Sequence, residues 1–183
     1  MRITDDRYTR DRLRLDLALR LIRHEARTST IRQWTGLSDD RIRKLFKSYI
    51  EHVGDRRIRR HRGKAPRQTA FFLRNAEIRL QAASLASFLC QFGLLGPAGQ
   101  AAPEESDRLG SGARFCEAYE AFLQQHAHPQ ISFEHACFLR RALQRQRDLC
   151  LDDCAACGAL LVVTPFTGRP GSCGFCSDPP LAT

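Results

Sequence analysis

The sequence has no apolar run long enough to span a bilayer: no window approaches the roughly 18 apolar residues a membrane helix needs. Its opening, "MRITDDRYTRDR", is charged throughout, so the apolar stretch of an export signal is missing too. A protein of the cytoplasm is the expectation, with no membrane among its partners. Catalytic motifs are equally scarce. There is no phosphate-cradling glycine loop and no HExxH helix, and the six histidines are scattered, at His24, His52, His61, His126, His128 and His135. Each reads as a surface or packing residue. With no convergent acid, base or nucleophile, the chain is not expected to be an enzyme. Internal repeats are absent as well.

What is present is cysteine and positive charge. In a reducing cytoplasm eight cysteines rarely mean disulfides, and thiols paired at CxxC spacing more often mean a metal or a redox centre. The formal net charge is +9, and its placement says more than its size. Residues 1–80 hold 22 Lys+Arg against 10 Asp+Glu, whereas the remainder holds 7 against 10. A basic half of this kind points to a polyanion, with nucleic acid ahead of an anionic membrane surface.

At 183 residues the chain has room for one domain plus a small appendage, or for two small domains. Leu13 to Ala26 read as a helix with two apolar stripes, Leu15/Leu19/Ile22/Ala26 and Leu13/Leu17/Leu21. Such a helix needs cover on two sides, from the core and in part from another chain. The next stretch, "TSTIRQWTGLSDDRIRKLFKSYIEHVG", breaks at Gly36 and restarts with Ser38 as N-cap and Asp39 and Asp40 in the first turn. Phe71 to Leu95 are helix-rich, with Phe72, Ala76, Leu80, Ala83, Leu85, Phe88, Leu89 and Phe92 as the apolar positions. Residues 96–112, rich in Gly, Pro and small polar side chains, read as a linker. Short helices follow around Phe115 to Leu123 and beyond Pro129, the second capped by Ser132 and turning Phe138, Ala142, Leu143 and Leu149 inward. The expected fold is mainly α: a multi-helix domain over residues 1–150 with a helix-turn-helix-like unit, then a zinc-ribbon-like β-hairpin domain over residues 151–183.

The hairpin expectation rests on "CAACGALLVVTPFTGRPGSCGFC", a C-x2-C-x15-C-x2-C pattern in which Cys154, Cys157, Cys173 and Cys176 are the candidate metal ligands. Each CxxC turn lets two sulfurs face one point, Gly158 and Gly174 suit the tight turns, and "ALLVVT" with Pro165, Gly168, Pro170 and Gly171 behind it suits a hairpin returning the chain to the metal. One structural zinc per chain is the cofactor expected from the spacing, and four thiolates leave it no open position for catalysis. An iron–sulfur cluster and a redox dithiol use related spacings and stay open as alternatives. Cys90, Cys116, Cys137 and Cys150 read as small buried hydrophobes, although Cys150 lies close enough to Cys154 to compete as a ligand.

In the basic half, Ile31 on the first helix, Gly36 and Leu37 in the turn, and Ile42 and Leu45 on the second helix match a helix-turn-helix. The second helix of that motif enters the major groove, which leaves Arg41, Arg43, Lys44 and Lys47 outside the core as contacts to bases or phosphates. Arg32 and Thr35 depart from the pattern, standing where a small and an apolar residue are usual. Downstream, the basic loop of residues 55–67 carries Arg56, Arg57, Arg59, Arg60, Arg62, Lys64 and Arg67. Seven such contacts would give a log affinity versus log salt slope of about −6. Phosphate contacts position a protein without specifying sequence.

The order of these parts, with "LALRLI", "LSDDRIRKLFKSY" leading into "GKAPRQTAFFL", and "CAACGALLVV" through "GSCGFC", resembles the FlhC family, a subunit of the FlhD/FlhC flagellar master activator. The resemblance runs from about Arg12 to Cys176. It implies an activator of transcription that joins an FlhD-type subunit in a ring-shaped heterohexamer, binds and bends double-stranded promoter DNA, and recruits RNA polymerase to flagellar genes. It further implies that Cys154, Cys157, Cys173 and Cys176 hold zinc and that an FlhD-type subunit covers the first helix. Members of that family often carry a basic tail behind the last cysteine; here the arginine-rich loop after Gly54 is expected to take that role. Two other readings stand beside this one, a zinc-thiolate redox sensor and an RNA-binding zinc ribbon protein.

Overall fold

The computed structural model describes residues 2–52, 58, 61, 64–96, 107–165, 173 and 176, excepting the side chains of 2–6 and 50–52. Among them are α1 (Arg2–Arg23), α2 (Thr28–Thr35), α3 (Asp39–His52), a 3-10 helix (Thr69–Leu73), α4 (Ala76–Gln91), α5 (Arg108–Gln125), α6 (Phe133–Arg145), β1 (Cys150–Asp153) and β2 (Leu160–Val163). The chain is therefore mainly helical, with a small antiparallel hairpin toward its C-terminus. It divides into two compact units: residues 1–65 with 105–116, and residues 66–104 with 117–183. The division falls elsewhere than at residue 150, because the hairpin packs on α4 and α6 instead of standing apart.

The first unit is a three-helix arrangement in which α1, α2 and α3 pack pairwise and the first residues of α5 close the core. Leu17, Ala18, Leu21, Ile22, Ile31, Trp34, Leu37, Ile42 and Phe46 are buried. The Trp34 and Phe115 rings stack with centroids 5.9 Å apart. Helix α1 starts well before Leu13, and its charged first turns show no apolar period that would have announced it. Only the face carrying Leu17, Leu21 and Ile22 is buried; Leu15 and Leu19 are half-buried and Leu13 is 53% exposed. The second apolar stripe is thus split between the core and the surface.

Residues 108–112, expected in a linker, are the first turn of α5. Asp107 caps it, its Oδ1 accepting from the Gly110 amide at 3.0 Å. Gly112 is buried here because a Cβ would meet Leu17 Cδ2 at 2.8 Å and Trp34 Cε3 at 3.3 Å. Small residues that resemble linker composition are in this case the condition for close helix packing.

In the second unit Asn75 caps α4, its side chain accepting from the Ile78 amide at 2.8 Å, and Ser132 caps α6 as expected. The buried face of α4 is Ile78, Ala82, Leu85, Ala86 and Leu89. Ala76 and Leu80, expected inside, are exposed, since they lie off the stripe of Ile78, Ala82, Leu85 and Leu89 that packs inward. Gln81 is buried and fully used: its amide donates to the His128 carbonyl at 3.1 Å and its oxygen accepts from the Gln130 amide at 2.8 Å. Tyr119 donates to the Ile131 carbonyl at 2.9 Å. These bonds hold the loop between α5 and α6 in place. Leu149 is buried, but it lies beyond α6, which ends at Arg145 with Gln146 as a left-handed C-cap.

Strands β1 and β2 pair from Cys150 opposite Val163 to Asp153 opposite Leu160. A hairpin of four-residue strands is not stable alone; β2 gains support from α4, and β1 from α6, with Val162 buried. The hairpin is one strand earlier than its expected position. "LLVV" is its second strand, and the first CxxC forms its turn. Gly168, Pro170, Gly171 and Gly174 lie outside the described residues.

Candidate functional site

Four thiols converge at the end of the hairpin. Cys154 directly follows β1, and the turn over residues 155–157 brings Cys157 back beside it. Gly158, at φ +70°, takes the left-handed conformation that reverses the chain into β2. The turn is closed by the Gly158 amide donating to the Cys154 carbonyl and the Cys154 amide donating to the Ala159 carbonyl, both at 2.8 Å. Cys173 and Cys176 bring the second pair to the same point: the four Sγ atoms all lie within 4.8 Å of one another. Individual separations are 3.9 Å for Cys154 to Cys176, 3.7 Å for Cys157 to Cys173 and 3.4 Å for Cys173 to Cys176. A group of this kind can hold a metal ion.

Electrostatics within the quartet are uneven. Cys154 is buried, yet the backbone amides of Ala156, Cys157 and Cys173 point at its sulfur and lower its pKa to about 6. Such donors favour the thiolate, the form a metal needs. Cys176 is pushed upward, because its sulfur shares protons with Cys157 and Cys173 and faces the Cys154 charge. Cys154 therefore gives up its proton more readily than Cys176. Cys157 is exposed, and Cys173 and Cys176 are intermediate.

Cys150 is not part of the quartet. It sits at the far end of β1, paired with Val163, and four residues of strand span about 13 Å. Its thiol faces the Val163 carbonyl at 3.8 Å, and burial followed by the Asp152 charge raises its pKa. Cys116 and Cys137 are buried and Cys90 is half-buried, consistent with the packing role expected of them.

A second candidate site is the outer face of α3. Ser38 caps the helix, its Oγ accepting from the Arg41 amide at 3.4 Å, and Asp39 and Asp40 occupy the first turn, where the helix dipole favours them. Ile42 and Phe46, four residues apart, are the buried face. Leu45, expected inside, is half-buried, because the 3.6-residue period brings Phe46 rather than Leu45 under Ile42. Arg41, Arg43, Lys44 and Lys47 are all exposed. Arg43 leans on Asp40 at 3.2 Å, an i,i+3 pair legible in the sequence.

The turn before α3 has the expected geometry: Gly36 is left-handed at φ +69°, and its amide donates to the Arg32 carbonyl. Neither departure from the motif disturbs it. Arg32 is exposed and reaches forward to Asp39 at 3.1 Å. Thr35 is 2% exposed; its hydroxyl donates to the Ile31 carbonyl at 2.7 Å and accepts from the Leu37 amide at 3.2 Å.

Of the basic loop, Lys64 and Arg67 are exposed, on either side of the boundary between the units. Arg56, Arg57, Arg59, Arg60 and Arg62 lie outside the described residues. His61 pairs with Glu25 at 3.1 Å, tying the loop to the corner between α1 and α2. Among the described residues no helix is long and apolar enough to cross a membrane. No protein-family model matches the chain, and no curated protein matches it.

Proposed function

We propose that the chain is a DNA-binding transcriptional activator whose cysteine quartet holds one structural zinc ion. The observation that carries the DNA reading is the unit α1–α2–Gly36–α3, a three-helix core whose last helix presents Arg41, Arg43, Lys44 and Lys47 on its outer face. A helix of about 10–12 Å diameter fits the major groove. In that pose the N-terminal half of α3, with Arg41 and Lys44, faces base edges, while Arg43, Lys47 and the loop residues Arg56, Arg57, Arg59, Arg60, Arg62, Lys64 and Arg67 neutralise phosphates.

Zinc suits the quartet on two grounds. Ligands at about 2.3 Å around a tetrahedral ion stand about 3.8 Å apart, close to the separations of 3.4 to 3.9 Å found here. All four donors are sulfur, which selects zinc or iron–sulfur over hard cations. Bound there, zinc would supply folding free energy, about 10–16 kcal/mol in comparable peptides. The hairpin turn and the Cys154 amide donors set the ligand positions, and four thiolates leave no place for a reactive water.

The resemblance to FlhC extends the proposal to an FlhD-type subunit in a heterohexamer, to RNA polymerase, and to promoters of flagellar genes in the cytoplasm. The exposure of Cys157 favours one second reading, a redox sensor in which hydrogen peroxide takes two electrons from two thiolates and two protons from solvent, giving a disulfide and two waters, and the metal is expelled. Competition between duplex DNA and structured RNA at matched salt, run with and without peroxide, tests the proposal. Preference for the duplex, with zinc and binding retained under peroxide, supports it. Equal or stronger RNA binding, or DNA binding governed by peroxide, contradicts it.

A further inference from the structure

Helix α1 leaves a surface that the DNA reading does not use. Between its N-terminal turns and the start of α5 runs an open groove of about 490 Å³. On the α1 side it is lined by Thr9, Arg10, Leu13, Asp16, Leu17 and Arg20. The opposite side comes from Asp107, Leu109, Gly110 and Ala113. The α1 residues recur at the 3- and 4-residue spacing of a helix-packing seam. Leu13 stands at the middle of that seam and is 53% exposed.

The charges on the seam are arranged symmetrically about Leu13. Arg10 lies three residues before it and Asp16 three residues after. When two identical helices pack antiparallel across a two-fold axis at Leu13, a residue three positions before the centre on one meets a residue three positions after it on the other. Both stand about 4.5 Å along the helix from the crossing point. Arg10 of each copy therefore faces Asp16 of the other, so that one complementary contact is made twice. Within one chain, among the described residues, Asp16 makes a surface pair with Arg12 at 3.8 Å, weak enough to give way to a second copy. The four-residue step from Leu13 brings Thr9 opposite Leu17, a small side chain against a large one, which suits close packing.

We infer that this groove takes a second copy of the same chain, making an isologous dimer through α1 with Leu13 at its centre and Arg10–Asp16 pairs on both sides. The inference is independent of DNA binding and of the metal. A two-fold pair of units would also present two copies of α3, the arrangement that duplex operators with two half-sites require.

The oligomeric state of the purified full chain, measured by sedimentation velocity across micromolar concentrations, tests it. The expected mass is twice the 20.8 kDa of one chain. Arg10→Asp or Asp16→Arg alone turns both contacts into like-charge pairs and should weaken dimerisation at least about tenfold. The double variant Arg10→Asp with Asp16→Arg exchanges the charges and should restore the dimer. That restoration separates loss of the interface from loss of the fold. A monomeric wild type, single variants that stay dimeric, or a double variant that fails to recover would each overturn the inference. So would a wild type that assembles through α1 only when a different subunit is co-expressed.

Discussion

Thr35 stands where a helix-turn-helix usually carries an apolar side chain, yet it is buried and both lone-pair and proton capacity of its hydroxyl are used. Its bond to the Leu37 amide gives a partner to a buried backbone donor in the turn between α2 and α3. Thr35→Val keeps the shape and removes both bonds, and urea unfolding should show a loss of about 1–3 kcal/mol. The sequence marked Thr35 as a departure because residue type is visible there and hydrogen bonding is not. Cys150 shows the converse. Its nearness in sequence to Cys154 suggested a competing ligand, whereas the extended strand carries its sulfur to the other end of the hairpin. Elemental analysis should therefore find full zinc in Cys150→Ser and a large loss in Cys154→Ser.

His135 adds a pH dependence that composition could not show. Its ring stacks on Phe71 with centroids 4.2 Å apart, and its Nδ1 lies 2.7 Å from the Ser132 hydroxyl. Burial lowers its pKa, the Arg74 charge lowers it further, and Glu134 opposes them. The unfolded chain takes up this proton near pH 6.5 while the folded chain still resists it. Stability is then highest above that value and falls as the pH drops through and below it. His126, also lowered by burial, acts in the same direction. Denaturant midpoints measured from pH 7.5 to 5 should fall, and His135→Phe, which keeps a ring against Phe71, should reduce the fall.

Helices with a cap and a clear apolar period were legible. Ser38 and Ser132 were placed correctly, as was Gly36, because each answers a local requirement of backbone geometry. Elements set by tertiary packing were not. The amino-terminal turns of α1 are too polar to reveal a period, and Leu80 was assigned inward by a stripe other than the one that packs, Ile78, Ala82, Leu85 and Leu89. The start of α5 was read as linker, since Gly110, Ser111 and Gly112 carry composition but no sign of what approaches them. At Gly112 it is the Leu17 and Trp34 side chains, and Gly112→Val should cost about 1–3 kcal/mol by overpacking them, measurable by thermal or urea unfolding. The hairpin was placed one strand late, because β1 is the four-residue segment CLDD, half of it aspartate, and carries too little apolar alternation to read as a strand.

For the whole molecule, the basic face of α3 and the cysteine quartet belong to different compact units. The cysteine quartet was legible residue by residue, since CxxC spacing constrains geometry almost independently of fold. The proposed nucleic-acid face was legible only as a set of candidates, of which α3 presents Arg41, Arg43, Lys44 and Lys47 outward. If zinc supplies folding free energy to the hairpin alone, chelation should abolish its strand signal and leave the α1–α3 helices intact by amide exchange.

The most direct test of the account is the salt dependence of binding to duplex DNA, by fluorescence anisotropy with zinc-loaded chain, for wild type and for the Arg43→Ala/Lys47→Ala variant. The account predicts an affinity that falls steeply with salt for the wild type. In the variant the log–log slope should be shallower by about 2, near 0.9 for each phosphate contact removed. Binding that ignores salt, or a variant whose affinity and slope match the wild type, would contradict the claim that α3 meets DNA.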